Sequence, residues 1–118
     1  MSPQVKITGR KVTDAVYALD IAGEVTSFAE GALMAAYTQA VEAGAQAFVL
    51  NFAALEYMNS SGIGLLVTLL IRANRQQHRL MAVGLKDHYR HIFELTRLNE
   101  AIRVFPDEAA ALAEIHTL

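Results

Sequence analysis

The chain has no cysteine, no tryptophan and only two prolines among its 118 residues. The absence of cysteine excludes disulfides, thiolate zinc sites and iron–sulfur clusters. Neither sign of charge dominates, since 10 Lys and Arg stand against 12 Asp and Glu, and this argues against a general nucleic-acid binder. The longest apolar run, residues 62–71, is too short for a bilayer-spanning helix of about 20 residues.

Apolar residues make up 53% of the sequence, and no repeat, low-complexity stretch or Pro/Ser-rich linker divides it. We therefore expect one domain that spans residues 1–118 and buries enough surface to fold without a disulfide or a structural metal. Residues 1–12 contain no apolar signal core. The expected location is the cytoplasm, with no direct membrane insertion.

Four apolar segments predict most of the sheet. Residues 5–9 alternate and residues 15–22 follow closely, which favours an antiparallel pair, and Gly23 is expected to end the second strand. Residues 47–52 and 80–85 are almost continuously apolar, which is typical of strands covered on both faces, as in parallel sheets.

Helical spacing of apolar residues lies between and after these segments. The first helix is expected from Phe28 to Gly44. The other expected elements are a buried helix capped by Asn59, Ser60 or Ser61, a third helix capped by Asp87, a short edge strand at 102–104 and a last helix opening at Pro106. This order predicts an α/β fold, a small mixed sheet of four to five strands with about four helices packed on it.

Functional sites of α/β sheets gather at the carboxyl ends of the parallel strands. At that edge we expect residues 23–28, 53–61 and 85–87 to meet, with Ser60 at a loop–helix junction. A phosphate on Ser60 would face the unpaired N–H groups of the first helical turn and would add about −1.5 to −2 charges to the surface. The residues leave two interpretations open: Ser60 or Ser61 only caps the helix, or Ser60 is a charge switch on a partner surface.

Other chemistries are poorly supported by motif spacing. Gly62 and Gly64 fit no nucleotide-binding loop, so we expect no nucleotide or other cofactor and interpret both glycines as close approaches of helix and sheet. His88 and His91 lack further ligands, so we expect them on a solvated face and no metal site. No G-x-S-x-G elbow surrounds Ser60, which argues against a hydrolase.

Basic residues are enriched between Arg72 and Arg103, where seven Lys or Arg accompany three Asp or Glu. Such a run can form a docking patch for an anionic partner. The alternative is that these side chains cover the solvated side of helices, because they alternate with apolar positions at helical spacing.

The stretch Asn59-Ser60-Ser61-Gly62-Ile63-Gly64 resembles the hallmark of the STAS domain of bacterial anti-sigma factor antagonists, Asp-Ser-Ser/Thr-Gly-Leu-Gly opening a helix. Two flanking segments agree with this resemblance. Residues 21–25 are similar to the family's Gly-x-Leu-Asp stretch, and residues 85–112 are similar to its C-terminal helix, strand and helix. The resemblance covers essentially the whole chain.

The resemblance implies a partner switch. In that family the antagonist binds an anti-sigma factor that is also a serine kinase, and the kinase phosphorylates the first serine of the motif, here Ser60 and less expectedly Ser61. A Ser/Thr phosphatase then resets the cycle, so the chain would be a substrate and not an enzyme. The expected partner-binding residues are Glu24, Thr26, Ser27, Met58, Asn59, Ser60, Ser61, Gly62, Ile63 and Lys86.

Two positions depart from the family pattern, because Asn59 and Thr26 stand where the family usually has aspartate. These departures keep a second hypothesis open, a STAS adaptor that is never phosphorylated, for example in a lipid or ABC-type transport complex. A homodimer through exposed apolar residues such as Met58 is also compatible with the sequence.

Overall fold

The computed structural model describes residues 4–116, which contain both strands and helices. The strands are β1 Val5–Lys11, β2 Val16–Val25, β3 Ala47–Asn51, β4 Leu55–Met58, β5 Arg79–Val83 and β6 Arg103–Phe105. The α-helices are α1 Glu30–Glu42, α2 Ser60–Arg75, α3 Asp87–Leu95 and α4 Glu108–His116. Two single-turn 3-10 helices, Ser27–Ala29 and Leu98–Glu100, precede α1 and β6.

The sheet has the strand order β1-β2-β3-β5-β6. β1 pairs antiparallel with β2, whereas β2–β3, β3–β5 and β5–β6 pair in parallel. The predicted antiparallel pair and parallel crossovers are therefore confirmed, as is the α/β class. The expected count of four to five strands is one too low, because β4 also joins the sheet, in parallel with the end of β2.

The second strand does not end at Gly23, contrary to the expectation. Gly23 lies inside β2 with φ +93°, and the pairing register with β4 shifts between Gly23 and Glu24. A Cβ on Gly23 would lie 2.3 Å from the carbonyl oxygen of Gln4. The glycine thus permits a bulge and a close strand contact, after which β2 continues to Val25 and pairs with β4.

Each face of the sheet has its own apolar core. Helices α1, α2 and α3 cover one face around the large side chains of Tyr37, Phe48, Leu69 and Phe93. Helix α4 covers the other face, where Ala111 packs with residues such as Val49, Met81 and Val83. No helix within residues 4–116 is both long and apolar enough to cross a membrane.

A charged network holds α4 against the strands. The Arg10 guanidinium lies 3.0 Å from Asp20 Oδ2 and 2.7 Å from Glu108 Oε1, so it joins β1, β2 and α4. The Asn51 amide donates to Asp20 at 2.9 Å. The hydrogen bond from Arg10 lowers the pKa of Asp20, and partial burial opposes this shift.

Three helix starts differ from the sequence expectation, since α4 begins at Glu108 and not at Pro106, and α1 and α3 differ as well. Phe28 belongs to the 3-10 helix, so α1 begins two residues later at Glu30. Asp87 is the first residue of α3 and not its cap; Lys86 occupies the cap position without a side-chain cap bond, and Asp87 pairs with Arg90. At the other end of α1, Gly44 follows the C-cap residue Ala43 and has φ +107°. This left-handed conformation ends the helix, as the sequence predicts.

Candidate functional site

Three segments meet at the carboxyl ends of the strands, as the sequence predicts. The backbone N–H of Asn59 donates to the carbonyl of Val25 at 3.3 Å, which joins the start of α2 to the end of β2. The ammonium of Lys86 donates to the carbonyl of Leu55 at 3.1 Å, which joins the β5–α3 loop to β4. Lys86 thus anchors this edge of the sheet.

Asn59 caps α2. Its extended backbone, with φ −96° and ψ −175°, brings the side-chain oxygen to 2.9 Å from the N–H of Gly62. This is the geometry of an N-cap residue. The interpretation that Ser60 or Ser61 only caps the helix is therefore wrong, and both serines are exposed in the first helical turn.

The surroundings of Ser60 suit an added anion. Within residues 4–116, the N–H groups of Ser60 and Ser61 have no hydrogen-bond partner. The first turn of α2 contains no acidic residue. Helix N-termini stabilise negative charge through free N–H groups and the helix dipole. A phosphate on Ser60 would therefore meet donors and no adjacent carboxylate of its own helix.

The same hydroxyl has no activating neighbour. Among residues 4–116, the Ser60 side chain makes no hydrogen bond to a histidine or carboxylate. Serine is a weak nucleophile unless a base takes its proton. The arrangement presents an exposed hydroxyl without a hydrogen-bonded base among residues 4–116.

Gly62 brings α2 directly onto the sheet. A Cβ at this position would lie 2.2 Å from the carbonyl oxygen of Val25 and 2.7 Å from Met58 Cγ. This confirms the predicted close approach at Gly62. The same interpretation is wrong for Gly64, which is exposed and has nothing within 4 Å of its Cβ position.

The expected partner-binding residues differ in exposure. Ser27, Ser60, Ser61 and Lys86 are exposed, and Glu24, Asn59 and Ile63 are partly buried. The expectation that Met58 is exposed is wrong, because only 5% of it is accessible where it packs under α2. Thr26, at 7%, and Gly62 are also buried. These last three residues hold the site in place beneath its surface.

Thr26 fixes the segment between β2 and α1. Its hydroxyl accepts a hydrogen bond at 3.3 Å from the N–H of Phe28 and so caps the 3-10 helix. A hydroxyl can make this bond as a carboxylate does, so Thr26 caps the 3-10 helix without a charge.

Three further residues at this edge were not among the expected partner-binding residues. Phe28 is 74% exposed on the 3-10 helix, and Tyr57 is 48% exposed on β4. The Tyr89 hydroxyl accepts from the N–H of Met58 at 2.9 Å and ties α3 to the strand before Asn59. Phe28 could have been found from its place beside Thr26 and Ser27, whereas no local pattern marks Tyr89.

The histidines of α3 form no ligand set. His88 and His91 are exposed, and His91 Nδ1 lies 4.0 Å from the carboxylate of Glu94. Residues 4–116 contain no group of three or more His, Asp or Glu side chains able to hold a metal ion.

Replacing Asn59 with alanine is expected to destabilise the protein by about 1 kcal/mol, because the N–H of Gly62 loses its acceptor. Asn59→Asp keeps the cap and adds charge at the positive end of α2, so it is expected to be at least as stable as the parent. Urea denaturation followed by circular dichroism measures both. Ser61→Ala is the control, and an Asn59→Ala protein no less stable than this control would remove the capping role.

Comparison with known proteins agrees with this architecture. Residues 9–111 match the STAS domain. The chain belongs to the STAS domain family.

Relatives of known name are regulators of sigma factors. The chain is 28% identical over 91 residues to the anti-sigma-B factor antagonist of Staphylococcus aureus, which covers 77% of this chain and 84% of that protein. The unphosphorylated form of the anti-sigma factor antagonist SpoIIAA superposes with TM-score 0.76 and 20% identity, covering 95% of this chain and 97% of that one. The phosphorylated form of the Bacillus cell fate determinant SpoIIAA gives TM-score 0.71 and 20% identity, covering 92% and 98%. These similarities support a STAS fold that extends over nearly the whole chain.

Proposed function

We propose that this STAS domain is an anti-sigma factor antagonist that binds an anti-sigma factor kinase and is switched by phosphorylation of Ser60. The observation that carries the proposal is the position of Ser60. It is exposed in the first turn of a helix whose cap is a different residue, Asn59, and its neighbouring N–H groups are free within residues 4–116. The named S. aureus relative and the phosphorylated SpoIIAA structure support the same reading.

Phosphorylation requires only an accessible hydroxyl group from this chain. Ser60 Oγ bonds to the γ-phosphorus of ATP held by the kinase, the bond from that phosphorus to the bridging oxygen breaks, and ADP leaves. The hydroxyl proton passes to a base of the kinase. A Ser/Thr phosphatase hydrolyses the phosphoserine and restores the hydroxyl. The chain itself acts as binding partner and substrate.

The switch works through charge at the partner surface. Phosphorylation adds about −1.5 to −2 charges at Ser60. The first helical turn tolerates this charge, so the fold remains, while a partner fitted to the neutral surface is repelled. Exposed Phe28 and Tyr57 supply the apolar part of that surface.

Phosphopeptide mass spectrometry of the protein from its native cells tests the proposal. We expect phosphate on Ser60 in a fraction that changes with growth condition, retained in Ser61→Ala and lost in Ser60→Ala. Ser60→Asp is expected to weaken binding to the anti-sigma factor kinase of the same cells by at least about tenfold, with an unfolding free energy within about 1 kcal/mol of the parent.

Two outcomes would contradict the switch: phosphate confined to Ser61, or Ser60→Asp binding the kinase as tightly as the parent. Persistent absence of phosphate across stress conditions would instead favour an adaptor that is never phosphorylated, for example in a lipid or ABC-type transport complex. The observation that supports this second function is that Asn59 and Thr26 are not acidic residues.

A further inference from the structure

A polar cavity lies at the opposite edge of the sheet from Ser60. Its volume is about 200 Å³, and it opens where β5 and β6 begin. Its polar lining consists of Asn74, His78, Arg79, Glu100 and Arg103. The cavity collects two cations of the basic stretch between Arg72 and Arg103, which the proposed function leaves without a role.

Arg79 carries the uncompensated charge of this cavity. It is partly buried at the start of β5, and among residues 4–116 its guanidinium has no ion pair and no hydrogen bond. The other two charged residues of the cavity already have partners of opposite charge. Arg103 forms an ion pair with Glu114, and Glu100 Oε2 lies 3.9 Å from Arg97 Nε. A partly desolvated cation without a counter-charge favours an anion beside it.

The backbone fixes the two arginines on one side of the sheet. Arg79 pairs in register with Ala47, and Arg103 pairs in register with Met81. Ala47 and Met81 both belong to the core beneath α4, so both guanidinium groups leave the sheet on that face. Register therefore places both arginines on the α4 face, whereas Asn74 of α2 and His78 line the cavity from the side of the other core.

Two further side chains, His78 and Asn74, add hydrogen-bonding capacity. His78 is held by a 2.7 Å hydrogen bond between its Nδ1 and the Tyr37 hydroxyl, and by the Phe48 ring, whose centroid is 5.6 Å away. Its Nε2 and the side-chain amide of Asn74 have no hydrogen-bond partner within residues 4–116. The cavity thus joins a free guanidinium, a free amide and an oriented imidazole.

We propose that this cavity binds the phosphate group of a small molecule. The planar guanidinium of Arg79 presents paired N–H donors that match two phosphate oxygens, and Asn74 supplies another donor. Sites for drug-sized ligands usually measure about 300–1,000 Å³, so a cavity of about 200 Å³ suits a phosphate group and little more. The site is separate from Ser60 and does not depend on the proposed switch.

Nuclear magnetic resonance titration with inorganic phosphate at constant ionic strength tests the site. We expect saturable amide shifts at residues 74, 78–80 and 100–103, and weaker shifts with acetate at equal concentration. Arg79→Gln is expected to weaken phosphate binding by about tenfold or more, because a charge-assisted pair of hydrogen bonds is lost. The matched control is Arg75→Gln, an exposed arginine that does not line the cavity.

Equal weakening by both arginine variants would overturn the proposal, since it would reduce the effect to general surface charge. Shifts that grow linearly without saturation, or equal shifts with acetate, would also overturn it. Asn74→Ala is a second cavity variant, needed in case Arg79→Gln fails to fold. It is expected to fold normally, because the Asn74 side chain is exposed and makes no hydrogen bond within residues 4–116. Weaker phosphate binding by Asn74→Ala with an unchanged spectrum elsewhere would support the site, and unchanged binding by both cavity variants would refute it.

Discussion

Gly62→Ala is expected to destabilise the protein by about 3 kcal/mol and to lower its melting temperature by on the order of 10 °C. The added methyl group would meet the Val25 carbonyl oxygen at 2.2 Å, a backbone atom held within the sheet. Helix α2 must then move away from β2, which strains the 3.3 Å hydrogen bond from Asn59 N–H to Val25. Because that contact also positions Ser60, we expect partner binding to weaken with stability.

Gly64→Ala is the matched control two residues further along the same helix. Gly64 is exposed and nothing lies within 4 Å of its Cβ position. Alanine inside a helix is favoured over glycine by about 0.5–1 kcal/mol, so this variant is expected to be more stable than the parent. Thermal and urea denaturation of both variants measure the difference. Destabilisation of the same size in both would contradict the assignment of the close approach to Gly62.

Phe28→Ala is expected to weaken binding to the proposed partner, an anti-sigma factor kinase, by about 30-fold, which corresponds to about 2 kcal/mol. Phe28 is 74% exposed, yet the Thr26 cap holds its 3-10 helix in a fixed position. A pre-positioned aromatic side chain beside the start of α2 is the kind of anchor that dominates a protein interface. Since the ring is largely exposed, the unfolding free energy is expected to change by less than about 0.5 kcal/mol.

Leu95→Ala controls for a general effect of surface apolar groups. Leu95 is 70% exposed at the end of α3, so it matches Phe28 in accessibility but belongs to a different element. Calorimetric titration of the kinase with each variant gives the affinities. Retained affinity in Phe28→Ala, or an equal loss in Leu95→Ala, would show that the 3-10 helix is not the anchor.

Local patterns in the sequence predicted most elements because their apolar periodicity is strong. The runs that became β3 and β5 are short and apolar, as is typical of buried strands, whereas the helical spacing extends over 13 residues in α1 and 16 in α2. Strand β4 was missed because its two central residues, Glu56 and Tyr57, are both exposed and show no alternation. Its four residues become a strand only because β2 passes Gly23 and offers a free edge.

The position of the candidate site was predicted from the sequence more accurately than the exposure of its residues. Sequence placed Ser60 at the carboxyl edge of the sheet, since helix signals follow directly after a buried strand. It could not decide which of three neighbouring residues caps the helix, because Asn59, Ser60 and Ser61 are all good caps. Nor could it show that Met58 is buried at 5% while Phe28 is exposed at 74%, since exposure depends on how α2 lies over β2 and β4.

The sequence by itself determined the α/β class, the antiparallel start and the parallel remainder of the sheet, and the residue that the proposed switch uses. All of these follow from periodicity, caps and one local motif. Only the tertiary structure decided which of the expected partner-binding residues are exposed and which are buried. It alone brought Arg79, Asn74 and His78 to one cavity, because strand register and helix packing join residues that are distant along the chain.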